Sequence, residues 1–365
     1  MSKPEPQRVL GWDVGGAHLK ACLLEDGQLV DVAQWACPLW QGLQHLDGAM
    51  ASARGRWAHA LTAPHAVTMT GEMTDLFSSR ADGVQRITDA LQCALPGPVR
   101  VYAGPAPDSA LAAWAEPHEA GARWAQIASA NWMATAQHAA AVLGDGVLID
   151  IGSTTTDLIA FADGRLRSAS HSDRDRLASG ELVYQGVVRT PLCALGQGIT
   201  LQGQRLNVMN EFFASTADVY RLTGELQPEH DLYPAADNAA KTPEATRRRL
   251  ARMVGCELGD AGASDWDELA RQWRAAQVSL IADSLQRVLL RPKDHTALKI
   301  VSAGCGDFLV PDIWRALHGE AINVARYGHD VARVAAGPQA DQLRAWAQVC
   351  APSVAVAALL DGALR

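Results

Sequence analysis

The sequence predicts an α/β protein with two similar lobes that face each other across a cleft. The main observation is a repeat. The pattern strand, acidic–glycine turn, strand, Asp-Gly hairpin and strand occurs in residues 9–29 and again in residues 146–166, at a constant offset of 137 positions. Such apolar runs, bounded by Asp-Gly, are typical of β-hairpins. A repeat of this length is too long for a solenoid unit, so it indicates a duplicated lobe.

The two copies align without a gap. Asp13 corresponds to Asp150, and Gly15 corresponds to Gly152. Each lobe therefore offers one acidic–glycine turn to the shared cleft. Further aligned pairs are Gly16 with Ser153, Lys20 with Asp157, Asp26 with Asp163 and Gly27 with Gly164.

The first lobe is predicted to continue from its hairpin with further helices and strands. Gly144-Asp145-Gly146 is a turn cluster directly before the second hairpin, so we assign lobe I to residues 1–144. Its predicted strands, beyond the first two, are 28–36, 66–70 and 99–103, and its predicted helical segments are 38–63, the segment after 71–75, 107–116 and 124–142.

Residues 145–350 are assigned to lobe II, and residues 351–365 to a C-terminal segment with an apolar helix. The clearest helix of the chain, 266–289, has a continuous apolar stripe that is expected to face the core. Thr242-Pro243 is a good helix start. The other predicted features are a solvated loop at 171–176, a strand at 182–188, a helix at 210–223, a flexible excursion at 227–241 and a strand at 299–303 that leads into Gly304-Cys305-Gly306.

Composition excludes several classes of function. The chain has 365 residues, enough for two lobes with their own cores, and a net charge of −8 from 32 Lys+Arg and 40 Asp+Glu. Neither a nucleic acid nor an anionic membrane is therefore an expected partner. No stretch approaches the roughly 20 apolar residues of a membrane span. The seven cysteines are scattered singly, which favours a cytoplasmic location and argues against a structural zinc site.

The two acidic–glycine turns have the groups needed to bind phosphate. Backbone N–H groups of the turns, hydroxyl groups after the second turn and the ammonium of Lys20 can donate to phosphate oxygens. The carboxylates of Asp13 and Asp150 can hold a hydrated magnesium ion. The alternative for the second copy is a plain hairpin with a Thr-rich turn. The predicted phosphate-binding residues are Gly15, Gly16, Gly152, Ser153, Thr154, Thr155 and Thr156, with Asp13, Lys20 and Asp150 as catalytic residues.

A polar cluster follows the predicted strand 66–70. It contains Thr70, Glu72, Asp75 and Arg80, which we predict to contact substrate near the cleft. A solvated helix start with acidic residues in its first turn explains Glu72 and Asp75 equally well.

Three further residues are candidates for substrate binding. Arg189 is expected at a strand end, because Pro191 cannot continue the ladder, and its guanidinium could bind a diphosphate or carboxylate with two hydrogen bonds. A surface salt bridge is the alternative. Glu211 and Asp218 share one face of the predicted helix 210–223, where they could bind an amine or a metal. A merely solvated face explains them as well.

These motifs resemble those of a known superfamily. The segments around Asp13 and Asp150 are similar to the two phosphate motifs of the actin-like ATPases, and Gly-Ser-Thr-Thr-Thr-Asp at 152–157 resembles the hydantoinase/oxoprolinase branch. Residues 68–75, 180–191 and 211–220 resemble proteins associated with tetrahydromethanopterin-linked one-carbon transfer. Their archaeal relatives are synthases that join an aminomethylfuran diphosphate to a γ-glutamyltyramine phenol in methanofuran assembly.

The resemblance implies a two-lobe, ribonuclease H-like fold of the actin-like ATPase type, with the C-terminal helix packed back across the lobes. It also implies a transferase that acts with magnesium on a small-molecule diphosphate and a phenol. The alternative is an ATP-dependent kinase or ligase that binds adenosine at Gly304 and Gly306. A non-catalytic actin-like module has no positive support in the sequence. Whether the protein is a homodimer is left open.

Overall fold

The computed structural model describes residues 5–106, 111–168, 171–196, 198–290 and 299–365. A mixed sheet forms the centre of the first lobe. Its strands are β1 (Arg8–Val14), β2 (His18–Glu25), β3 (Gln28–Ala36), β4 (His65–Met69), β5 (Val99–Pro105) and β6 (Ala112–Ala115). Their order is β3-β2-β1-β4-β5-β6, with β2 antiparallel to β1 and β4 parallel to it.

The second lobe repeats this arrangement. Its strands are β7 (Gly146–Ile151), β8 (Thr156–Ala162), β9 (Arg165–Leu166), β10 (Leu182–Val183), β11 (Gly198–Leu201), β12 (Gln204–Asn207), β13 (Ile300–Ala303) and β14 (Val324–Arg326). The sheet order is β10-β8-β7-β13-β14, with β9 also on β8 and with β11–β12 as a separate hairpin. As in the first lobe, the leading strand β7 is antiparallel to the next strand, β8, and parallel to a later one, β13.

The two hairpins also have the same turn. Asp26 and Gly27 have φ values of 50° and 75°, and Asp163 and Gly164 have φ values of 52° and 70°. Positive φ at both central residues is the mark of a type I′ turn, whose twist matches that of the flanking strands. The repeated Asp-Gly pair is therefore what closes each hairpin.

Helices cover both sheets and also fill the space between them. The inner layer consists of α4 and α11, whose apolar residues join those of both sheets in one core cluster. Gly11 of β1 permits close packing of α11, because a Cβ at that position would lie 2.0 Å from the carbonyl oxygen of Ser353. The helices are α1 (Gln44–Arg56), α2 (Arg80–Ala94), α3 (Trp124–Ile127), α4 (Asn131–Leu143), α5 (Asp173–Ser179), α6 (Thr216–Thr223), α7 (Pro243–Met253), α8 (Ala263–Leu289), α9 (Val310–His318), α10 (Ala340–Val349) and α11 (Ala351–Leu364).

Several predicted elements differ from the structure. The predicted helix 107–116 is wrong, because Ala112–Ala115 is strand β6 and residues 107–110 lie outside the described residues. The predicted loop 171–176 contains the start of α5, and the predicted strand 182–188 shrinks to the two residues of β10. The predicted helix 210–223 begins only at Thr216. By contrast, Thr242 caps α7 as predicted, accepting a hydrogen bond from the backbone N–H of Ala245.

In the described part of the chain, no single helix is long and apolar enough to span a membrane. Among the described helices, only α10 and α11 taken together, which are bent by 102° at their junction, reach that length and composition.

Candidate active site between the lobes

Alternation along β1 and β7 directs one carboxylate from each lobe toward the other lobe. Leu10 and Trp12 lie in the outer core of lobe I, and Ile149 lies in the outer core of lobe II. Since side chains alternate along a strand, Asp13 and Asp150 point inward. As predicted, both line one cavity, of about 440 Å³. Of the predicted site residues, the cavity is lined by Asp13, Gly15, Gly16, Lys20, Thr70, Asp75, Asp150, Gly152, Ser153, Thr154, Thr155 and Arg189.

The two inward carboxylates are unusually basic. Burial raises the pKa of Asp13 to about 6, against the opposing effect of Lys20. Burial also raises the pKa of Asp150 to about 7, and the charge of Asp157 adds to this shift. One oxygen of Asp13, Oδ1, is buried and has no hydrogen-bond partner among the described residues. Ionised carboxylates in such a place are stabilised by a cation beside them.

Lys20 supplies one positive charge near both carboxylates. Its Nζ donates a hydrogen bond of 2.9 Å to the carbonyl oxygen of Val349, the last residue of α10. Burial lowers the pKa of Lys20, but surrounding acidic groups that include Asp13 and Asp150 raise it, and the net shift is upward. The ammonium group therefore stays charged at neutral pH and is fixed at the cavity wall.

The two acidic–glycine turns, called the phosphate turns after their predicted ligand, are closed in the same way. The N–H of Gly15 donates to the carbonyl oxygen of His18 at 2.9 Å, and the N–H of Gly152 donates to that of Thr155 at 2.8 Å. These two N–H groups are thus used within the turns, which corrects their predicted role as phosphate donors. The next N–H groups, those of Gly16 and of Ser153 and Thr154, have no protein partner among the described residues. They are the backbone donors available to an anion.

Arg189 reaches from lobe II to lobe I across the cavity. Its backbone N–H donates to the carbonyl oxygen of Ser153 at 2.9 Å, which ties it to the second phosphate turn. Its guanidinium lies 4.9 Å from the ring centroid of Trp40, and no described carboxylate forms an ion pair with it. The cation is therefore held by an aromatic ring and remains free to bind an anionic substrate group.

Three of the predicted site residues, Thr156, Glu211 and Asp218, do not line the cavity. Thr156 is fully buried, and its hydroxyl donates to the carbonyl oxygen of Gln185 at 2.8 Å, so it is not a phosphate donor. Glu211 is exposed, precedes α6 and does not line the cavity. Its predicted helical face shared with Asp218 does not exist, because the helix starts after it.

Asp218 is a structural residue rather than a cavity residue. Its carboxylate accepts hydrogen bonds from the backbone N–H of Ser215 at 3.1 Å, from Arg221 at 2.7 Å and from Arg249 at 2.9 Å. The side chains of Asp218 and Arg249 are both buried. This network fixes the start of α6 and anchors α7.

Glu72 and Arg80 lie one residue behind the cavity wall. Glu72 accepts a hydrogen bond of 2.9 Å from the hydroxyl of Ser129, which lines the cavity. Arg80 of lobe I forms an ion pair of 2.5 Å with Asp173 of lobe II, which also lines the cavity. Neither residue lines the cavity itself, so the geometry does not support their predicted direct contact with substrate.

Comparison with known proteins places the chain in a family. The sequence profile described as hydantoinase/oxoprolinase matches residues 64–341, about three quarters of the chain. The chain belongs to the hydantoinase/oxoprolinase family. Among relatives of this family member, the (4-{4-[2-(gamma-L-glutamylamino)ethyl]phenoxymethyl}furan-2-yl)methanamine synthase of Methanocaldococcus jannaschii is 27% identical over 83% of this chain and 88% of its own. The synthase of the same name from Methanococcus vannielii is 27% identical over 51% of this chain and 84% of its own.

The chain is also similar to solved structures. The ethanolamine utilization protein EutJ from Carboxydothermus hydrogenoformans is 13% identical, with a TM-score of 0.43 over 98% of this chain and 90% of that protein. The duplicated strand order of this hydantoinase/oxoprolinase family member is that of the two-lobe actin-like ATPase fold, as the sequence predicted.

The Gly304–Gly306 turn of this family member packs against its own lobe. Gly304 has a φ of 83°, and a Cβ there would lie 2.1 Å from the carbonyl oxygen of Ile151. The N–H of Gly306 donates to that same oxygen at 2.8 Å. Neither glycine lines the cavity. The two glycines are thus explained by close packing against the end of β7.

Sequence reasoning missed a second group of cavity residues. Asp157 lies opposite Asp150 in the hairpin and forms an ion pair with Arg176, whose guanidinium lies 4.0 Å from the ring centroid of Trp132. Burial raises the pKa of Asp157, with Arg176 opposing the shift. The alignment of Lys20 with Asp157 was a signal that could have identified this carboxylate. No sequence signal marked Arg176, which looked like part of a solvated loop.

Proposed function

We propose that the protein is a transferase of methanofuran-type cofactor biosynthesis. It would join an aminomethylfuran-methyl diphosphate to a tyramine- or tyrosine-type phenol, with release of pyrophosphate. The name of the two related synthases describes a phenoxymethyl group on a furan, which is an ether of the same type.

The observation that carries the proposal is the composition of the cavity wall. One part of the wall carries Lys20 and the two phosphate turns, which suit a diphosphate. Another part carries the aromatic side chains of Trp40 and Tyr184, which are 40% and 58% exposed. Exposed rings beside a phosphate site suit a substrate that has both phosphate and aromatic rings.

The proposed reaction exchanges one carbon–oxygen bond for another. The bond between the furan methylene carbon and the diphosphate oxygen breaks, and its electron pair leaves with pyrophosphate. Positive charge develops on the methylene carbon, where the phenol oxygen forms the new bond. Lys20 and the free N–H groups of Gly16 and Ser153 would stabilise the negative charge on the leaving group.

The donor set also fits magnesium. Asp13 and Asp150 would hold the ion, and the buried, unpartnered Oδ1 of Asp13 is a suitable oxygen donor. Among the described residues, no group of three or more His, Cys, Asp or Glu side chains is placed to bind a metal. This suits magnesium, which keeps several waters and commonly binds through one or two carboxylates and substrate phosphates. When bound, the ion would neutralise charge on the diphosphate.

Phosphate turns of this kind would serve a nucleotide as well, so an ATP-dependent kinase or ligase is the second candidate. The test is to incubate the purified protein with magnesium, the synthetic furan-methyl diphosphate and tyramine, without ATP. We expect equal amounts of pyrophosphate and of the ether, identified by mass. The absence of ether, together with ADP formation when ATP and candidate acceptors are supplied, would favour the kinase.

A further inference from the structure

Ser129 and Glu72 form a buried hydrogen-bonded pair at the edge of the cavity. Ser129 lines the cavity, and its hydroxyl donates to Oε1 of Glu72 at 2.9 Å. Glu72 is 1% exposed, and its second oxygen, Oε2, has no hydrogen-bond partner among the described residues. The lone pairs of the Ser129 oxygen remain available to accept a proton from a group in the cavity.

The backbone around this pair is arranged to hold it in place. Ser129 has a φ of 52°, in the left-handed region that disfavours residues other than glycine, asparagine and aspartate. Strain of this kind persists mainly where a side chain has a function. On the other side, α2 packs closely over the glutamate. A Cβ at Gly83 would lie 2.8 Å from the Cα of Glu72, so glycine is required there to bury the carboxylate.

We propose that Ser129 and Glu72 remove the proton from the phenol, a step that rests on the proposed transferase function. The phenol O–H bond breaks, and its proton passes to Oγ of Ser129. The proton of Ser129 moves along the existing hydrogen bond to Oε1 of Glu72. The electron pair of the phenol O–H bond stays on the phenol oxygen and forms the bond to the methylene carbon. Ser129 is then the catalytic residue, and Glu72 acts through it.

Other carboxylates near the cavity are less suited to this step. Asp173 lies 3.4 Å from the same hydroxyl, but it forms an ion pair with Arg80 at 2.5 Å and has Arg176 at 4.0 Å. Asp75 is exposed to water at the cavity rim. Glu72, by contrast, forms no ion pair with any residue in the described ranges.

The environment of Glu72 favours a proton acceptor that works near neutral pH. Burial raises the pKa of Glu72 to about 6. Hydrogen bonds from its own backbone N–H and from the hydroxyl of Ser129 oppose this rise. The charged groups that face the carboxylate are Arg80 and Asp173. The carboxylate is therefore ionised at pH 7 and becomes protonated below about pH 6. Turnover of the wild-type protein should fall in the same range.

The kinetic test uses variants at both positions. Ser129→Gly removes the hydroxyl and its hydrogen bond to Glu72 but relieves the left-handed strain, so the two effects on stability oppose each other, and a thermal melt checks that the variant is folded. With tyramine, Ser129→Gly and Glu72→Gln should each lower kcat by about 100- to 10,000-fold, with KM changed by only a few fold. Glu72→Asp should recover part of this loss. Ser52→Ala and Glu320→Gln serve as controls, because both residues are exposed and neither lines the cavity.

The acidity of the phenol separates proton removal from a structural role. 3-Nitrotyramine has a more acidic hydroxyl and needs little help to ionise. At a pH at which this acceptor is already ionised, the loss in kcat for Glu72→Gln should therefore shrink to within about tenfold. An equal loss with both acceptors would overturn the proposal.

A binding measurement separates this inference from the proposed function. In protein with carbon-13-labelled glutamate carboxyl groups, the resonance of Glu72 is assigned by its absence in Glu72→Gln. Adding tyramine should shift it in wild type and leave it unchanged in Ser129→Gly. A Glu72 signal that does not respond to tyramine in wild type overturns the proposal that Ser129 and Glu72 accept the phenol proton, whether or not ether forms. A responding signal without ether formation supports the pair as a phenol site and rejects the transferase reaction.

Discussion

Lys20 lies directly opposite Asp13 in the antiparallel pairing of β1 with β2. The equivalent position in the second lobe pairs Asp150 with Asp157 instead. The two lobes thus share a backbone but differ in charge, and the lysine of one lobe serves a cavity that contains carboxylates of both. This asymmetry gives the cavity a fixed cation beside carboxylates suited to a metal ion.

Lys20→Met should abolish most of the transferase activity. The substitution keeps the length of the side chain but removes the only ammonium group among the described residues that line the cavity. Loss of a preorganised charge at the leaving group costs about 100- to 1,000-fold in kcat. Pyrophosphate release measures it, with Lys20→Arg as the variant that keeps the charge. If the Met variant stays within a few fold of wild type, the ammonium has no role at the leaving group.

Asp150→Asn tests the acidic turn through pH-dependent stability. Burial raises the pKa of Asp150 from its usual 3.8 to about 7 in the folded protein. The folded state thus holds this proton more tightly than the unfolded state, and the contribution of Asp150 to stability is lost as pH rises from about 4 to about 7.

Without magnesium, the free energy of unfolding of the Asn variant should therefore rise relative to that of wild type over this pH range. The difference should reach at most about 4 kcal/mol at pH 8. Urea unfolding in EDTA at a series of pH values measures the difference, and turnover with magnesium should be lost. A free-energy difference that is the same at pH 4 and pH 8 would show that Asp150 is not held protonated in the fold.

Thr155 and Thr156 should behave differently although they are adjacent. Thr155 lines the cavity, so Thr155→Val should lower turnover with the diphosphate while leaving stability near that of wild type. Thr156→Val removes the donor to the partly buried carbonyl oxygen of Gln185 and should cost about 1–3 kcal/mol in stability. Thermal melts and initial rates on the same preparations compare the two. The reverse pattern would contradict the placement of the second phosphate turn.

Arg189→Ala should weaken binding of an anionic substrate group. Charge-assisted hydrogen bonds of this kind contribute about 1.5–3 kcal/mol, so KM should rise by about 10- to 150-fold. Arg189→Lys keeps the charge over Trp40 but loses the planar guanidinium, so its KM should lie between that of wild type and that of Arg189→Ala. Unchanged KM values for both substrates in Arg189→Ala would assign the guanidinium to packing on Trp40 alone.

The parts of the fold that sequence predicted are those set by local rules. Asp-Gly turns and period-two apolar runs define the two hairpins, and the constant offset between them predicted that Asp13 and Asp150 share one cavity. Alternation along each strand is sufficient to direct both carboxylates inward. The positions of the two acidic–glycine turns and of Lys20 at the cavity followed from these rules.

The parts that sequence did not predict depend on distant partners. Arg176 looked solvated among alternating charges, yet it is buried because Asp157 and the ring of Trp132 lie around it. Ser129 carries no motif, and its importance comes from a left-handed φ and from Glu72, which is 57 residues away. The stretch at Ala112–Ala115 reads as helical but pairs with β5, so tertiary contacts override its local preference.

The most direct test of the central claim is the fate of the phenol oxygen. Tyramine with a heavy-oxygen label in its hydroxyl is incubated with the protein, magnesium and the furan-methyl diphosphate, without ATP. If the donor's carbon–oxygen bond breaks and the phenol attacks carbon, mass spectrometry will find the label in the ether and none in pyrophosphate. Ether without the label, or labelled phosphate esters of tyramine in place of ether, would contradict the proposed transfer.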